Sequence, residues 1–538
     1  MSLGSLKYLI ILTIFAIIRL NFAFGLDDTL TYVWPLPSEF TSGNQTLSID
    51  PALTLAVSGN GGSSIIVKEA FERYKRIIFK HTNSFSVFQR FKYKSDYDIS
   101  KLKIVVHSGN EDLQLGVDES YTLFVDKNDG QSIIAEATIE ANTVYGALRG
   151  LETFSQLCTF DYGTKSVQIY KAPWYIQDQP RFAFRGLLLD TSRHYLPINV
   201  IKQIIESMSY AKLNVLHWHI IDEESFPLEI PTYPKLWKGS YTKWERYTVE
   251  DAYEIVNFAK LRGINVMAEI DVPGHAESWG TGYPDLWPSV SCREPLDVSK
   301  NFTFDVVSGI LTDLRKIFPF GLFHLGGDEV NTDCWNTTLH VKEWLEDHNL
   351  TTKDAYQYFV LRAQEIAISK GWNPVNWEET FNAFASKLHP RTIVHNWLGG
   401  GVCPKAVAKG FRCIFSNQGF WYLDHLDVPW YDVYKAEPLE GINIASEQKL
   451  VLGGEVCMWG ETADASDIQQ TIWPRAAAAA ERMWSRREAI SSGNITLTAL
   501  PRFHYFRCLL NRRGVQAAPV KNFYARQPPT GPGSCYEQ

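Results

Sequence analysis

From Arg181 onward, apolar β-like runs alternate with amphipathic helical patterns, and this alternation constrains the 538-residue chain more than any other feature. Eight candidate strands are legible, at 186–191, 215–221, 265–270, 322–326, 373–377, 392–396, 412–416 and 450–458. Helical patterns separate several of them, at 199–211, 249–262, 303–318 and 353–370. Strand and helix alternating eight times predict an α/β fold, a (β/α)8 barrel of the TIM type over 181–538 with a C-terminal tail. An open doubly wound sheet is the alternative. It usually carries a Gly-rich phosphate fingerprint after its first strand, and Gly186-Leu187-Leu188-Leu189-Asp190 is not one.

Residues 26–180 read differently. Short strands near 104–107 and 121–125, with helical stretches at 67–79 and 142–156, predict a smaller α+β domain that covers or braces the barrel. No chemistry is visible in it. Residues 1–25 carry Lys7, an apolar run from Tyr8 to Ile18, then Ala23-Phe24-Gly25. This is the pattern of a secretory signal peptide, with the mature chain starting near Leu26. An uncleaved anchor is the rival, but the run is short and Arg19 interrupts it. No later stretch is long enough to span a membrane.

A secretory route also suits five glycosylation sequons, at Asn44, Asn301, Asn336, Asn349 and Asn494. Eight cysteines are present, at 158, 292, 334, 403, 413, 457, 508 and 535, and their spacing alone does not choose a pairing. Cys457 lies in an apolar run and reads as a buried thiol. His217 and His219 share one strand face, but no third ligand is near in sequence and no CxxC pair exists. We expect no metal and no cofactor. With 52 Lys plus Arg against 60 Asp plus Glu, the chain lacks the basic footprint of a nucleic-acid partner.

A barrel places catalytic groups just past its strand ends. The residues there are Asp190, Arg193, Asp222, Asp271, His275, Asp328, Glu329, Trp377, Glu378, Trp397, Tyr422, Asp424, Trp459 and Glu461. Singly, each has a plain reading. Asp328-Glu329 suits a solvated strand end, His275 a turn, Arg193 a structural ion pair, and any one of the 17 Trp the core. Together, carboxylates and Trp without Cys/His clusters point to sugars. Acetal cleavage needs a proton donor and negative charge beside a developing oxocarbenium ion.

The strings Arg185-Gly-Leu-Leu-Leu-Asp190-Thr-Ser-Arg193-His-Tyr195, His217-Trp218-His219, Pro273-Gly274-His275, His324-Leu-Gly-Gly-Asp328-Glu329 and Gly454-Glu455-Val-Cys-Met-Trp459-Gly-Glu461 resemble family 20 glycoside hydrolases, more narrowly the β-N-acetylhexosaminidases of lysosomes and plant vacuoles. The resemblance implies an exo-acting enzyme that releases terminal β-linked GlcNAc or GalNAc through an oxazolinium intermediate. It implies Glu329 as general acid, its carboxyl pKa held up by burial or by the neighbouring charge of Asp328. It makes Asp328 the partner of the substrate acetamido nitrogen and Tyr422 that of its oxygen. Trp377, Trp397 and Trp459 become walls of the acetamido pocket. Asp222 and His275 form a relay behind Glu329. Arg193 with Glu461 grips the 3- and 4-hydroxyls, and Asp424 meets the 6-hydroxyl and disfavours sulfate there. The resemblance further implies disulfides Cys292–Cys334 and Cys508–Cys535, a homodimer, and a vacuolar, lysosomal or extracellular destination. It leaves Cys158, Cys403 and Cys413 unassigned. Two rivals are an inactive sugar-binding relative and an endo-acting chitinase. Glu329 and its supports speak against the first. The second requires a DxxDxDxE strand-end signature, which is absent from the sequence.

Overall fold

A computed structural model describes residues 30–82, 97–126 and 137–520. The expected signal peptide lies outside the described residues, as does Cys535.

The first unit is a six-stranded sheet. Its strands are β1 (Glu39–Ser58), β2 (Ile99–Val106), β3 (Tyr121–Val125), β4 (Ala137–Ala141), β5 (Cys158–Asp161) and β6 (Ser166–Asp178), in the order β1-β2-β4-β3-β6-β5. β1 is long enough to pair antiparallel with β6 through its first half and parallel with β2 through its second. Alternation sets the faces: Ala137, Ile139 and Ala141 of β4 are buried, while Thr138 and Glu140 are not. Helices α1 (Ile65–Ile78) and α2 (Val144–Leu157) pack together on the sheet. Every residue of α2 is buried, because the barrel covers its other side. Gly150 of α2 makes this approach close; a Cβ there would stand 2.6 Å from Ile139 Cγ2.

The chain enters the barrel five residues after β6. Its strands are β7 (Phe184–Asp190), β8 (Val215–Ile221), β9 (Asn265–Ile270), β10 (Leu322–His324), β11 (Asn373–Trp377), β12 (Ile393–Asn396), β13 (Arg412–Phe415) and β14 (Val451–Met458). All pair in parallel and the ring closes β14 onto β7. β8, β9 and β11 lie where the hydrophobic runs put them. β10 is shorter than its run because Gly326 and Gly327 take φ of 60° and 96°, which ends the pleat at His324. The outer ring includes α3 (Ile198–Tyr210), α4 (Val249–Lys260), α5 (Asn301–Ile317) and α6 (Thr352–Ser369). Thr248 with Asp251 and Thr351 with Asp354 form capping boxes that start α4 and α6. The alanine run falls in α7 (Arg475–Trp484), where Ala476 to Trp484 are all buried.

Ion pairs weld the two units. Glu119 of the first is buried between Arg149 of α2 and Arg185 of β7, both at 2.7 Å. Lys212 of the barrel meets Asp178 at 2.9 Å. Helix α8 (Leu500–Arg513) then returns to the first unit, where Arg513 pairs with Glu152.

The disulfide Cys292–Cys334 is present. Cys403 and Cys413, which the sequence leaves unassigned, pair with each other. Cys457 is a buried free thiol and Cys158 a half-buried one. Cys508 is disulfide-bonded. All five sequon asparagines are exposed. Among the described residues, no helix is long and apolar enough to cross a membrane.

Candidate active site

The expected catalytic residues converge at the C-terminal mouth of the barrel. Asp328 and Glu329 follow β10 through the Gly326-Gly327 kink. Adjacent residues of a regular strand face opposite ways. Here the backbone turns, and Glu329 itself takes a φ of 48°. Asp271, just past β9, holds the kink: its Oδ1 accepts the Gly327 N–H at 2.8 Å. A Cβ on Gly326 would stand 1.9 Å from that same oxygen, so only glycine fits. Asp328 is 8% exposed, whereas the Glu329 side chain is 59% exposed. One carboxylate lies deep and the other at the lip.

Behind them lies the relay. His275 Nδ1 meets Asp222 Oδ1 at 3.0 Å, and His275 Nε2 stands 3.6 Å from Glu329 Oε2 and 3.7 Å from Asp328 Oδ2. Burial disfavours charge on His275, but the hydrogen bond to Asp222, the nearby Glu329 carboxylate and the charges of Asp271 and Asp328 outweigh it, so its pKa is raised. The ring is an imidazolium. This corrects one expectation. The His275 ring, 3.6 Å away, holds the Glu329 pKa below its ordinary value and outweighs burial, because the side chain is more than half exposed. An acid role for Glu329 therefore needs a bound substrate that strips water from it. Asp328, unlike Glu329, is buried, and burial raises its pKa. Burial and the charge of Asp328 raise Asp271 further. No protein donor reaches Asp328 Oδ1.

Aromatic walls stand opposite. Trp377 ends β11, Trp397 follows β12 and Trp459 follows β14. Trp377 lies 6.5 Å from Trp397 at 72° and 6.0 Å from Trp459. Tyr422 stacks parallel to Trp397 at 6.0 Å and sits 6.1 Å from Trp459. Four rings thus enclose one slot. At its edge, Arg193 is gripped by Asp190 at 3.0 Å, Asp222 at 2.8 Å and Glu224 at 3.0 Å, with Glu461 at 3.7 Å. Asp424 lies beyond. Burial lifts its pKa to about 6, with Glu461 adding to the rise against His425 and Arg475.

Several site residues escape sequence reasoning. Glu224 is one. Glu379 is a second: Trp397 Nε1 donates to it, and burial with the charge of Asp328 lifts its pKa to about 8. Glu294 is a third: it accepts the His275 backbone N–H at 2.5 Å, and burial raises it to about 7. By contrast Glu378, which the strand-end rule singled out, bonds the side chain of Asn396 and the backbone N–H groups of Trp397 and Leu398. It shapes a loop. Among the described residues, three groups have cation-binding spacing: His217–His395–Glu455, His217–Glu269–His324 and Asp271–His275–Asp328. In the first two, Glu455 and Glu269 raise the pKa of His217 to about 9 against burial, whereas burial lowers His324 and His395.

Residues 182–487 match the glycosyl hydrolase family 20 catalytic domain, and residues 33–157 match a β-acetyl hexosaminidase-like domain. Beta-hexosaminidase 1 of Arabidopsis thaliana is 76% identical over 95% of each chain. The human beta-hexosaminidase subunit beta is 35% identical over 91% of this chain and 88% of that one. The crystal structure of Flavobacterium johnsoniae chitobiase superposes with a TM-score of 0.77 at 29% identity, covering 91% of this chain and 73% of that one. Barrel, paired carboxylates, aromatic slot and these likenesses agree: the chain belongs to glycosyl hydrolase family 20 and is a glycoside hydrolase that removes terminal β-linked N-acetylhexosamine.

Proposed function

We propose that the substrate's own acetamido group is the nucleophile and that the residues above serve it. The carrying observation is the split pair: Asp328 buried with a bare oxygen beside an aromatic slot, and Glu329 at the water's edge behind His275. Asp328 accepts the acetamido N–H, and Tyr422 donates to the acetamido oxygen. Trp377, Trp397 and Trp459 press the group towards the anomeric carbon. As its oxygen bonds to that carbon, the glycosidic bond breaks and Glu329 gives its proton to the leaving oxygen. Water then attacks the anomeric carbon, the bond from that carbon to the acetamido oxygen breaks, the water's proton passes to Glu329, and anomeric configuration is retained. Arg193 with Glu461 holds the 3- and 4-hydroxyls, and Asp424 the 6-hydroxyl, so cleavage proceeds from the chain end.

The test compares aryl β-glycosides with and without the N-acetyl arm. We expect the 2-hydroxy analogue to be slower by several orders of magnitude, since a well-placed internal nucleophile is worth up to about 10⁵–10⁸ M in effective concentration. Equal rates, or a trapped glycosyl ester on a side chain, would overturn the reading. The paired cysteines and exposed sequons suit an oxidising secretory route. Within it we propose the vacuole as destination and a homodimer as assembly, to be checked by organelle fractionation and light scattering.

A further inference from the structure

We propose that Glu269 and His219, inside the barrel below the pocket, are positioning residues for the reaction, and that the relay behind the proton donor runs Glu269–His219–Asp222–His275–Glu329. The proposal rests on the roles given to Glu329 and Trp377 above.

Strand register brings the members together. His219 of β8 and His324 of β10 are both cross-strand partners of Glu269 on β9. All three side chains are buried. Glu269 Oε2 meets His219 Nδ1 at 2.6 Å and lies 2.9 Å from His217 Nε2. Glu269 Oε1 accepts from Trp377 Nε1 at 3.0 Å and lies 2.8 Å from His324 Nδ1. A carboxylate offers about four lone-pair directions, and here every one faces a ring nitrogen.

The other nitrogen of His219 meets Asp222 Oδ2 at 2.7 Å. Both nitrogens of that ring thus face carboxylates, which fixes a proton on each. Burial opposes the charge, but Glu269 and Asp222 outweigh it and hold the pKa at about 10. With Glu269 on one nitrogen and Asp222 on the other, His219 donates to Asp222. Arg193 covers the same Asp222 oxygen at 2.8 Å, leaving Oδ1 for His275 at 3.0 Å. The aim of His275 at Glu329 is set from three residues away.

Glu269 has a second arm. Through Trp377 it holds a wall of the acetamido slot, so one buried carboxylate orients both the proton donor's support and the surface that presses the nucleophile. The strand-end rule passes over it because Glu269 lies within β9, one layer deeper.

The experiment measures kcat and KM for the intact enzyme, Glu269→Gln, His219→Gln and Glu329→Gln. Two substrates are used: diacetylchitobiose, whose leaving sugar needs a proton, and the 2,4-dinitrophenyl N-acetyl-β-glucosaminide, whose leaving group does not. For Glu269→Gln and His219→Gln we expect a kcat loss on diacetylchitobiose of about 10- to 100-fold, the usual effect of removing a group that orients a working residue. On the dinitrophenyl substrate the expected loss for His219→Gln is under about threefold, with KM little changed. Glu269→Gln should add a further loss on both substrates, with weaker binding of a thiazoline analogue, because it also frees Trp377. His219→Gln should cost nothing more on diacetylchitobiose when placed on Glu329→Gln, since residues acting as a unit are not additive, whereas Glu269→Gln keeps the loss that comes through Trp377. Equal losses for His219→Gln on both substrates, or full additivity with Glu329→Gln, would mean that the cluster merely holds the barrel together. His219→Gln decides the matter if Glu269→Gln fails to fold, because Glu269 then keeps its other partners. If Glu329→Gln itself shows no leaving-group dependence, the acid assignment falls, and that result is read independently of the other two variants.

Discussion

At the residue scale, two carboxylates of the same dipeptide live in different media, and their expected responses differ. Glu329→Gln removes general acid help, typically worth about 100- to 10,000-fold. The loss should appear in kcat with binding spared, as single-turnover and inhibitor-binding measurements will show. Asp424 gives a pH signature. Because burial lifts its pKa to about 6, its charge is absent below that pH and present above it. The ratio of 6-sulfated to neutral substrate turnover should therefore fall as pH rises through about 6. In Asp424→Asn the ratio should be higher and flat with pH. A native ratio that ignores pH would separate Asp424 from the 6-position. Much of this shell was legible from motifs at strand ends. Glu269, His217 and His219 were not given roles, because a strand buried on both faces hides its charged members among apolar neighbours. The available signal was the anomaly itself: Glu269 sits in Asn265-Val-Met-Ala-Glu269-Ile270, a fully buried run, and a charge there needs partners.

At the scale of elements, the kink after β10 converts a strand end into a catalytic pair. Gly326→Ala would place a Cβ 1.9 Å from Asp271 Oδ1 at a φ of 60°. The backbone strain alone costs about 1–3 kcal/mol. We expect a lowered melting temperature together with a loss of activity far larger than the melting change explains, because Asp328 and Glu329 are re-aimed. Activity surviving unchanged would show that the turn tolerates other geometries. Hydrophobic runs gave the eight barrel strands, yet they overran β10 by two residues, since periodicity carries no φ. The Cys403–Cys413 bond was likewise invisible. It joins the helix Val402–Ala408 to β13, a contact set by packing and not by spacing.

For the whole molecule, the junction of sheet and barrel is polar and buried. Glu119 neutralises both Arg149 and Arg185. Glu119→Ala would strand two buried guanidiniums, and breaking such a pair costs about 3–5 kcal/mol. Urea unfolding should show that loss, and an unchanged midpoint would mean the junction is held by its apolar contacts. Stability should also fall towards alkaline pH. His217 and His219 have folded pKa values of about 9 and 10 against an ordinary 6.5, so their contribution is whole below 6.5 and disappears as pH rises through those values. Glu294 and Glu379, raised from 4.5 to about 7 and 8, lose theirs over a lower range and in the same direction. Melting temperature should thus be highest at mildly acidic pH and decline steadily above neutrality in a calorimetric series.

The unequal depth of Asp328 and Glu329 reaches beyond binding. A cyclised sugar held on the deep carboxylate meets whatever hydroxyl arrives at the lip, and bulk liquid supplies it. Adding methanol should then divert part of the turnover into a methyl glycoside of unchanged anomeric hand, so the enzyme's choice between hydrolysis and synthesis is set by acceptor competition at an open doorway.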